Sequence, residues 1–333
     1  MLIKYNLRPS IRSNMPILLA SVVVFIIMSF VSPYFCTFLN LEVVAMGFIQ
    51  EAIMALGMTV IIIAGGIDLS VGALLGCTAT IVGLLLTAHV NVFFAVVATL
   101  AIATLIGFIN GFMINKLRAH PFIVTLVAMT LLQGITFVLT QGGTIAGFPE
   151  EFSFFGQGRV LGFPFPILLY FILALSLGLL LQKNRFLHNA YFIGSNPQAA
   201  HLCGIKVNRF RIITYGLSAF LAGIAGIITA SQYISASPGF GLNAELRVIT
   251  AVFIGGASLS GGRGTIGRTV LGSLLLALIN NAFVQANLPT YWEKVSYGSL
   301  LLIAVLVDQY TVHKRSPSRV SWRDILASGG GTG

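Results

Sequence analysis

Apolar residues run along this chain in blocks, most of them about 17–25 residues long, separated by short polar or glycine-rich interruptions. Blocks of that length match the hydrocarbon thickness of a bilayer rather than one face of a soluble helix. The pattern predicts ten spans, near residues 16–32, 42–64, 71–89, 92–115, 122–140, 164–182, 212–233, 245–258, 269–288 and 294–311. The expected fold class is an all-α polytopic membrane protein: an N-terminal segment 1–15, a transmembrane domain 16–311 and a C-terminal tail 312–333. The third and eighth spans are the least regular, because each adjoins a Gly-Gly break, and either could be a half-helix or a re-entrant segment.

Those breaks share a frame. Gly-Gly-x-x-Leu-Ser-x-Gly occurs as GGIDLSVG, with Gly65, Gly66 and Gly72, and as GGASLSGG, with Gly255, Gly256 and Gly262. Each copy follows an apolar run. Unwound backbone at membrane depth leaves N–H and C=O groups that lipid cannot satisfy, so it survives where protein or a water-filled cavity takes up the bonds. Two such breaks in corresponding halves predict a pseudo-repeat with a translocation path between its parts.

Composition agrees with a membrane chain: 56% of 333 residues are hydrophobic and 8% charged. The formal charge of +10 raises the question of nucleic acid, and its distribution answers it. Sixteen of the 19 basic residues fall in five clusters, around Lys4–Arg12, Lys116–Arg118, Lys183–Arg211, Arg263–Arg268 and Lys314–Arg323. All lie between apolar blocks or at the ends, where the positive-inside rule holds them, and both termini, on the cytoplasmic face. The excess charge is topological, and no nucleic-acid partner is expected. Cys36, Cys77 and Cys203 have neither metal-ligand spacing nor a disulfide framework. The first apolar run has no small-residue cleavage site and reads as an uncleaved span.

Between the sixth and seventh spans lies a polar loop, 183–211, containing Gly194-Ser195-Asn196-Pro197-Gln198-Ala199-Ala200-His201-Leu202-Cys203-Gly204. Asn196 suits a helix N-cap and Pro197 the first helical position. Ala199 and Ala200 favour the interior, and Gly204 suits a left-handed C-cap. The signals predict a helix of about two turns on the cytoplasmic face, either a surface that pushes against a partner or a structural turn.

This loop, the GGIDLSVG segment and the stretch AVFIGGASLSGGRGTIGRTVLG (Ala251–Gly272) together resemble the permease subunits of bacterial ATP-binding-cassette importers for monosaccharides. That is the ribose, xylose, arabinose and galactose type, a branch that includes autoinducer-2 permeases. The resemblance runs from about residue 45 to 310 and takes in NGFMINKLRAHPFIVT (Asn110–Thr125) and Gly134–Gly143. It implies a multi-pass protein of the bacterial inner membrane, with ATPase subunits, a periplasmic substrate-binding protein and a second permease, identical or related, as partners. It implies no enzyme activity and no cofactor in this chain, ATP and Mg being held by the partner ATPase. Gly194, Asn196, Pro197, Ala199, Ala200 and Gly204 would belong to the coupling helix that docks in that ATPase. Two places depart from the family's usual pattern: Arg247 stands where a carboxylate is usual, and His188-Asn189 replace a Gly-Arg type pair.

Three further features attract a chemical reading. Gly262–Thr269 imitates a phosphate-binding loop, but a membrane segment precedes it and Arg268 stands where the lysine belongs, so an inside turn is the better account. Asp68, within the first break with Ser70, either caps a half-helix N-terminus or binds an ion; the second reading would make the chain an ion-coupled secondary transporter of a small polar solute. Two polar stripes recur at helical spacing: Ser273, Asn281 and Gln285 with Asn280 beside them, and Thr125, Gln133 and Thr136. Joined by Asn110, they either glue helices together or line a hydrated path that contacts sugar hydroxyls.

Overall fold

A computed structural model describes residues 11–289 and 291–315. Most of the expected N-terminal segment 1–15 and of the tail 312–333 lies outside the described residues. Helix α1 (Ile11–Val31) leads to α2 (Phe38–Gly47), which bends by 47° into α3 (Ile49–Ile63). Then come α4 (Val71–Thr87), α5 (Val92–Lys116) and α6 (Pro121–Thr140). An irregular stretch carries strand β1 (Ile145–Ala146), the short helix α7 (Phe154–Gln157) and the ribbon of β2 (Arg159–Val160) with β3 (Phe163–Pro164). Helices α8 (Phe165–Lys183), α9 (Arg185–Ser195) and α10 (Pro197–Leu202) precede the long α11 (Val207–Tyr233). Strand β4 (Ser235–Ala236) pairs antiparallel with β1, and α12 (Ala244–Ile254), α13 (Ile266–Gln285) and α14 (Tyr291–Arg315) complete the described chain.

Five of these helices, α5, α6, α8, α11 and α13, are long and apolar enough to cross a bilayer, and the bent pair α2–α3 makes a sixth. The chain is a polytopic helical membrane protein. Every predicted span finds a helix, yet two differ from expectation. The second is divided, because Gly47 is a poor helix former and Phe48 leaves helical geometry (φ −124°, ψ 9°) while burying its ring. The eighth stops at Ile254, leaving α12 only 11 residues, about 16 Å at 1.5 Å per residue.

All 15 residues of α3 are buried, which makes it the axis of the bundle. Against it packs α11, which also packs on α4 and α5. Small residues bring those backbones close: Gly57 of α3 abuts Ser218, Gly111 abuts Ile212, and Gly223 abuts Ala103. Close approach by small residues is how membrane helices gain packing energy when lipid offers as much apolar contact as protein. Several buried threonine hydroxyls donate to the carbonyl four residues back, as Thr59 does to Ala55 (2.6 Å) and Thr229 to Ala225 (2.7 Å), and Thr59 also meets the Thr269 hydroxyl of α13 at 2.7 Å. Outward faces of α5 and α6 carry exposed Phe94, Leu105, Phe112, Leu131 and Val138, as lipid contact requires.

Candidate functional site: a capped surface helix seated on the two glycine breaks

The short helix in the polar loop forms as α10, and its ends have the expected chemistry. Asn196 Oδ1 accepts from the backbone N–H groups of Gln198 and Ala199, both at 3.0 Å. At the other end the Ile205 N–H donates to the Ala200 carbonyl (3.0 Å) and the Gly204 N–H to His201 (2.9 Å), with Gly204 at φ +83°. This paired closure uses the carbonyls a helix end leaves free, and the left-handed φ is where glycine replaces other residues without strain.

The loop holds a second helix that the sequence reading passed over. Asn184 caps α9 by accepting from Phe186 (2.9 Å) and Leu187 (3.2 Å). Leu187, Ala190 and Ile193, spaced by three, are buried against α8, α3 and α11. The Asn cap and that spacing were the available signals. Helix α10 then divides its residues: Ala200 is 4% exposed and turned into the protein, while Leu202 is 88% exposed beside exposed Gln198, Ala199 and His201. Ala200 thus seats the helix, and Leu202 heads the face open to a partner.

At Gly194, in the last turn of α9, three segments converge. The Gly262 N–H donates to the Ile63 carbonyl at 2.7 Å, which joins the second glycine break to the end of α3. Gly194 lies over that bond, so closely that a Cβ there would collide with both the Ile63 carbonyl oxygen and the Gly262 nitrogen. A Cβ at Gly261 would lie 3.0 Å from the Gly194 Cα and 3.1 Å from the Gly65 Cα. The Tyr191 hydroxyl donates to the Gly264 carbonyl (3.0 Å), a second tie between α9 and the same break. Burial pushes the Tyr191 phenol up to about 12, so it stays a neutral donor at ordinary pH.

From the junction, the first break does not continue outward but doubles back along α3. Asp68 Oδ2 accepts from the Ser218 hydroxyl at 3.5 Å, and Ser218 abuts Gly57, six residues before Ile63 on α3. Asp68 is therefore about 9 Å up the bundle from the helix end. There Asp68 Oδ1 accepts from the Ser70 N–H (3.0 Å) and hydroxyl (2.6 Å), Asn110 Nδ2 donates to the Ser70 oxygen (3.1 Å), and Tyr215 donates to the Ile67 carbonyl (2.8 Å). Side chains thus satisfy the unwound backbone just ahead of α4. In the second break that work falls to Asp308 of α14, which accepts from the Ser258 hydroxyl and the Leu259 N–H, both at 3.0 Å.

The approach to α12 also follows a neighbouring helix. Ala236 lies beside Gly83 of α4, the Phe240 carbonyl beside Gly76 and the Gly241 carbonyl beside Gly72. The chain thus descends α4 from Gly83 to Gly72, eleven residues or about 16 Å, before α12 begins. Helices α3 and α12 are accordingly two short elements that each end in Gly-Gly at the junction, Gly65-Gly66 and Gly255-Gly256, and they pack on one another.

The two polar stripes occupy different interfaces. On α13, Asn281 and Asn40 exchange amide bonds (3.0 and 3.1 Å), Gln285 donates to Asn40 (2.9 Å) and Ser32 donates to Gln285 (3.0 Å), which ties α13 to α1–α2. Ser273 is buried farther along and Asn280 is half-buried. On α6, which packs mainly on α4, Thr125 and Thr136 return their hydroxyls to their own helix (2.9 and 2.7 Å), and Gln133 is half-buried.

Comparison with known proteins places this architecture. The profile of the family described as branched-chain amino acid transport system / permease component matches residues 40–305. The ribose import permease protein of Escherichia coli strain K12 is 40% identical over 295 residues, covering 87% of this chain and 92% of that one. Its Bacillus subtilis strain 168 counterpart is 38% identical over 286 residues, 85% and 89% of the two chains. The L-arabinose transport system permease protein of E. coli strain K12 is 34% identical over 288 residues, 86% and 88%. No solved structure matches. A match across four fifths of the sequence, with relatives aligned over most of their length, makes this chain a member of that family of transport-system permease components.

Proposed function

We propose that this chain is the membrane-spanning permease of an ATP-driven importer, passing a monosaccharide or similar small polyol from a periplasmic binding protein into the cytoplasm. The family's description names branched-chain amino acids, but the relatives aligned over most of their length are named for ribose, arabinose and allose. Sugar is therefore the proposed substrate class. The chain hydrolyses no ATP itself; separate ATPase subunits do so, and two permease copies, or this chain and a related one, share the assembly. It lies in the inner membrane in ten passes with both termini in the cytoplasm.

One observation carries the mechanism: α10, capped at both ends and presenting Leu202, connects through Gly194 directly to the contact of Ile63 with Gly262. ATP binding in the partner draws the two ATPase subunits together and moves α10. Because Gly194 has no side chain to cushion it, the displacement passes straight to the ends of α3 and α12. Those are the short elements that pack across the bundle axis. Their tilt opens the path on one side and closes it on the other, which is alternating access by rigid elements about a fixed centre.

The test is isolation of the tagged chain from its own cells, with mass spectrometry of what accompanies it. A Walker-motif ATPase at matching stoichiometry is the expected result, and a second permease sequence would make the assembly a heterodimer. A chain that repeatedly purifies intact and alone contradicts the proposal.

A further inference from the structure

Above the glycine junction, α3 and α12 are joined by charge. Arg247 in the first turns of α12 donates through Nε (3.0 Å) and Nη2 (2.7 Å) to Glu51 Oε1 in the first turn of α3. Glu245 stands two residues before Arg247, its Oε2 against Gly72 of α4, and Tyr297 belongs to α14, which packs on α12. Three polar atoms in this cluster have no hydrogen-bond partner: Glu51 Oε2, Glu245 Oε2 and the Tyr297 hydroxyl. Their residues are 8%, 6% and 7% exposed, whereas the Arg247 side chain keeps 30% of its surface open.

A buried carboxylate oxygen or phenol without a partner is costly, and a native fold that keeps three on the helices carrying one ion pair calls for an explanation. We infer that Glu51, Glu245, Arg247 and Tyr297 form a contact site for a polyhydroxy solute in the translocation path. Vicinal hydroxyls donate to the free carboxylate oxygens, the guanidinium edge left open by Glu51 donates to a sugar oxygen, and the phenol serves either role. Two carboxylates against one guanidinium disfavour an anionic solute such as an amino acid's carboxylate end. The position fits as well, since α3 and α12 are the elements that the glycine junction would tilt. This inference rests on the sugar-import reading above.

The test uses the whole assembly: permease, its ATPase and its binding protein, with import of D-ribose, L-arabinose and D-allose measured in proteoliposomes for wild type, Tyr297→Phe and Glu245→Gln. Both substitutions preserve shape and remove or neutralise an atom that holds nothing in the protein, so the melting temperature and the retained ATPase should not change. The expected result is a fall of about tenfold in maximal import, the factor that one lost hydrogen bond to a charged group gives. The half-saturating concentration of binding protein should stay the same. Import within twofold of wild type for both variants overturns the site. A loss of import that tracks a lowered melting temperature in both also overturns it, because the atoms then serve the fold. Failure of the wild-type assembly to import any of the three sugars overturns the sugar reading itself, and the site with it.

Discussion

The backbone N–H of Gly262 donates to the carbonyl of Ile63 at 2.7 Å, across almost two hundred residues of sequence. That bond joins the end of α3 to the second glycine break. Gly194, at the root of the surface helix α10, closes over it. Contact through backbone alone transmits displacement without the slack of rotameric side chains, and this places specific demands on the two glycines.

Gly194→Ala should therefore be severe. A methyl group there collides with backbone on both sides, so α9 must lift from the junction, at a cost of about 3 kcal/mol or more. Gly267, in the first turn of α13, is the control, since a Cβ there meets nothing within 4 Å and alanine should be neutral or stabilising by up to about 1 kcal/mol. Thermal unfolding of the two purified variants checks the contrast.

On α10 the direction of each side chain decides the outcome. Leu202→Asp puts a charge on the exposed face and should lower sugar-stimulated ATP hydrolysis at least tenfold while the permease stays folded, since Leu202 is 88% exposed. Ala200→Asp should instead unseat the helix, because that position is buried and a carboxylate there has to be desolvated. Limited proteolysis of the 183–211 loop, read beside the ATPase rate, separates the two effects.

Tyr191→Phe removes the hydroxyl that α9 donates to Gly264 and should cost about 1 kcal/mol. In the wild-type chain the phenol's pKa is raised from 10 to about 12 by burial. Its contribution to stability is accordingly complete below pH 10 and declines as pH rises from 10 toward 12. Alkaline stability curves should fall less steeply between pH 10 and 12 in the phenylalanine variant than in the wild type.

Asp68→Asn distinguishes a structural carboxylate from an ion-coupling one. Asp68 accepts two bonds from Ser70 ahead of α4, and an amide oxygen can accept the same pair. ATP-driven uptake should fall by no more than about half, a few tenths of a kcal/mol. Abolished uptake in a folded, ATPase-bound protein would instead support coupling to an ion.

Much of this was legible in the chain. Span positions followed from the length of the apolar blocks, and the caps of α10 from Asn196, Pro197 and Gly204. What escaped was what depends on packing across the sequence. Nothing local marks Gly194 as touching Ile63 and Gly262, because a glycine read alone signals a turn. The division of α2 from α3 was masked by continuous hydropathy through Phe48. Glu51 falls inside a predicted span, and only the fold sets it beside Arg247. Asp308 was lost in an apolar helix fifty residues from the Ser258 it supports. Even Ala200 looked like a contact residue until the rotation of α10 fixed which face was buried.

Uptake by the reconstituted assembly is the most direct test of sugar import driven by ATP. The purified permease, with its ATPase and binding protein in proteoliposomes, should accumulate D-ribose or a related pentose only when ATP and the binding protein are both present. Dissipating ion gradients should make no difference. Accumulation of leucine but no sugar, or uptake that ignores ATP and collapses with the ion gradient, would contradict it.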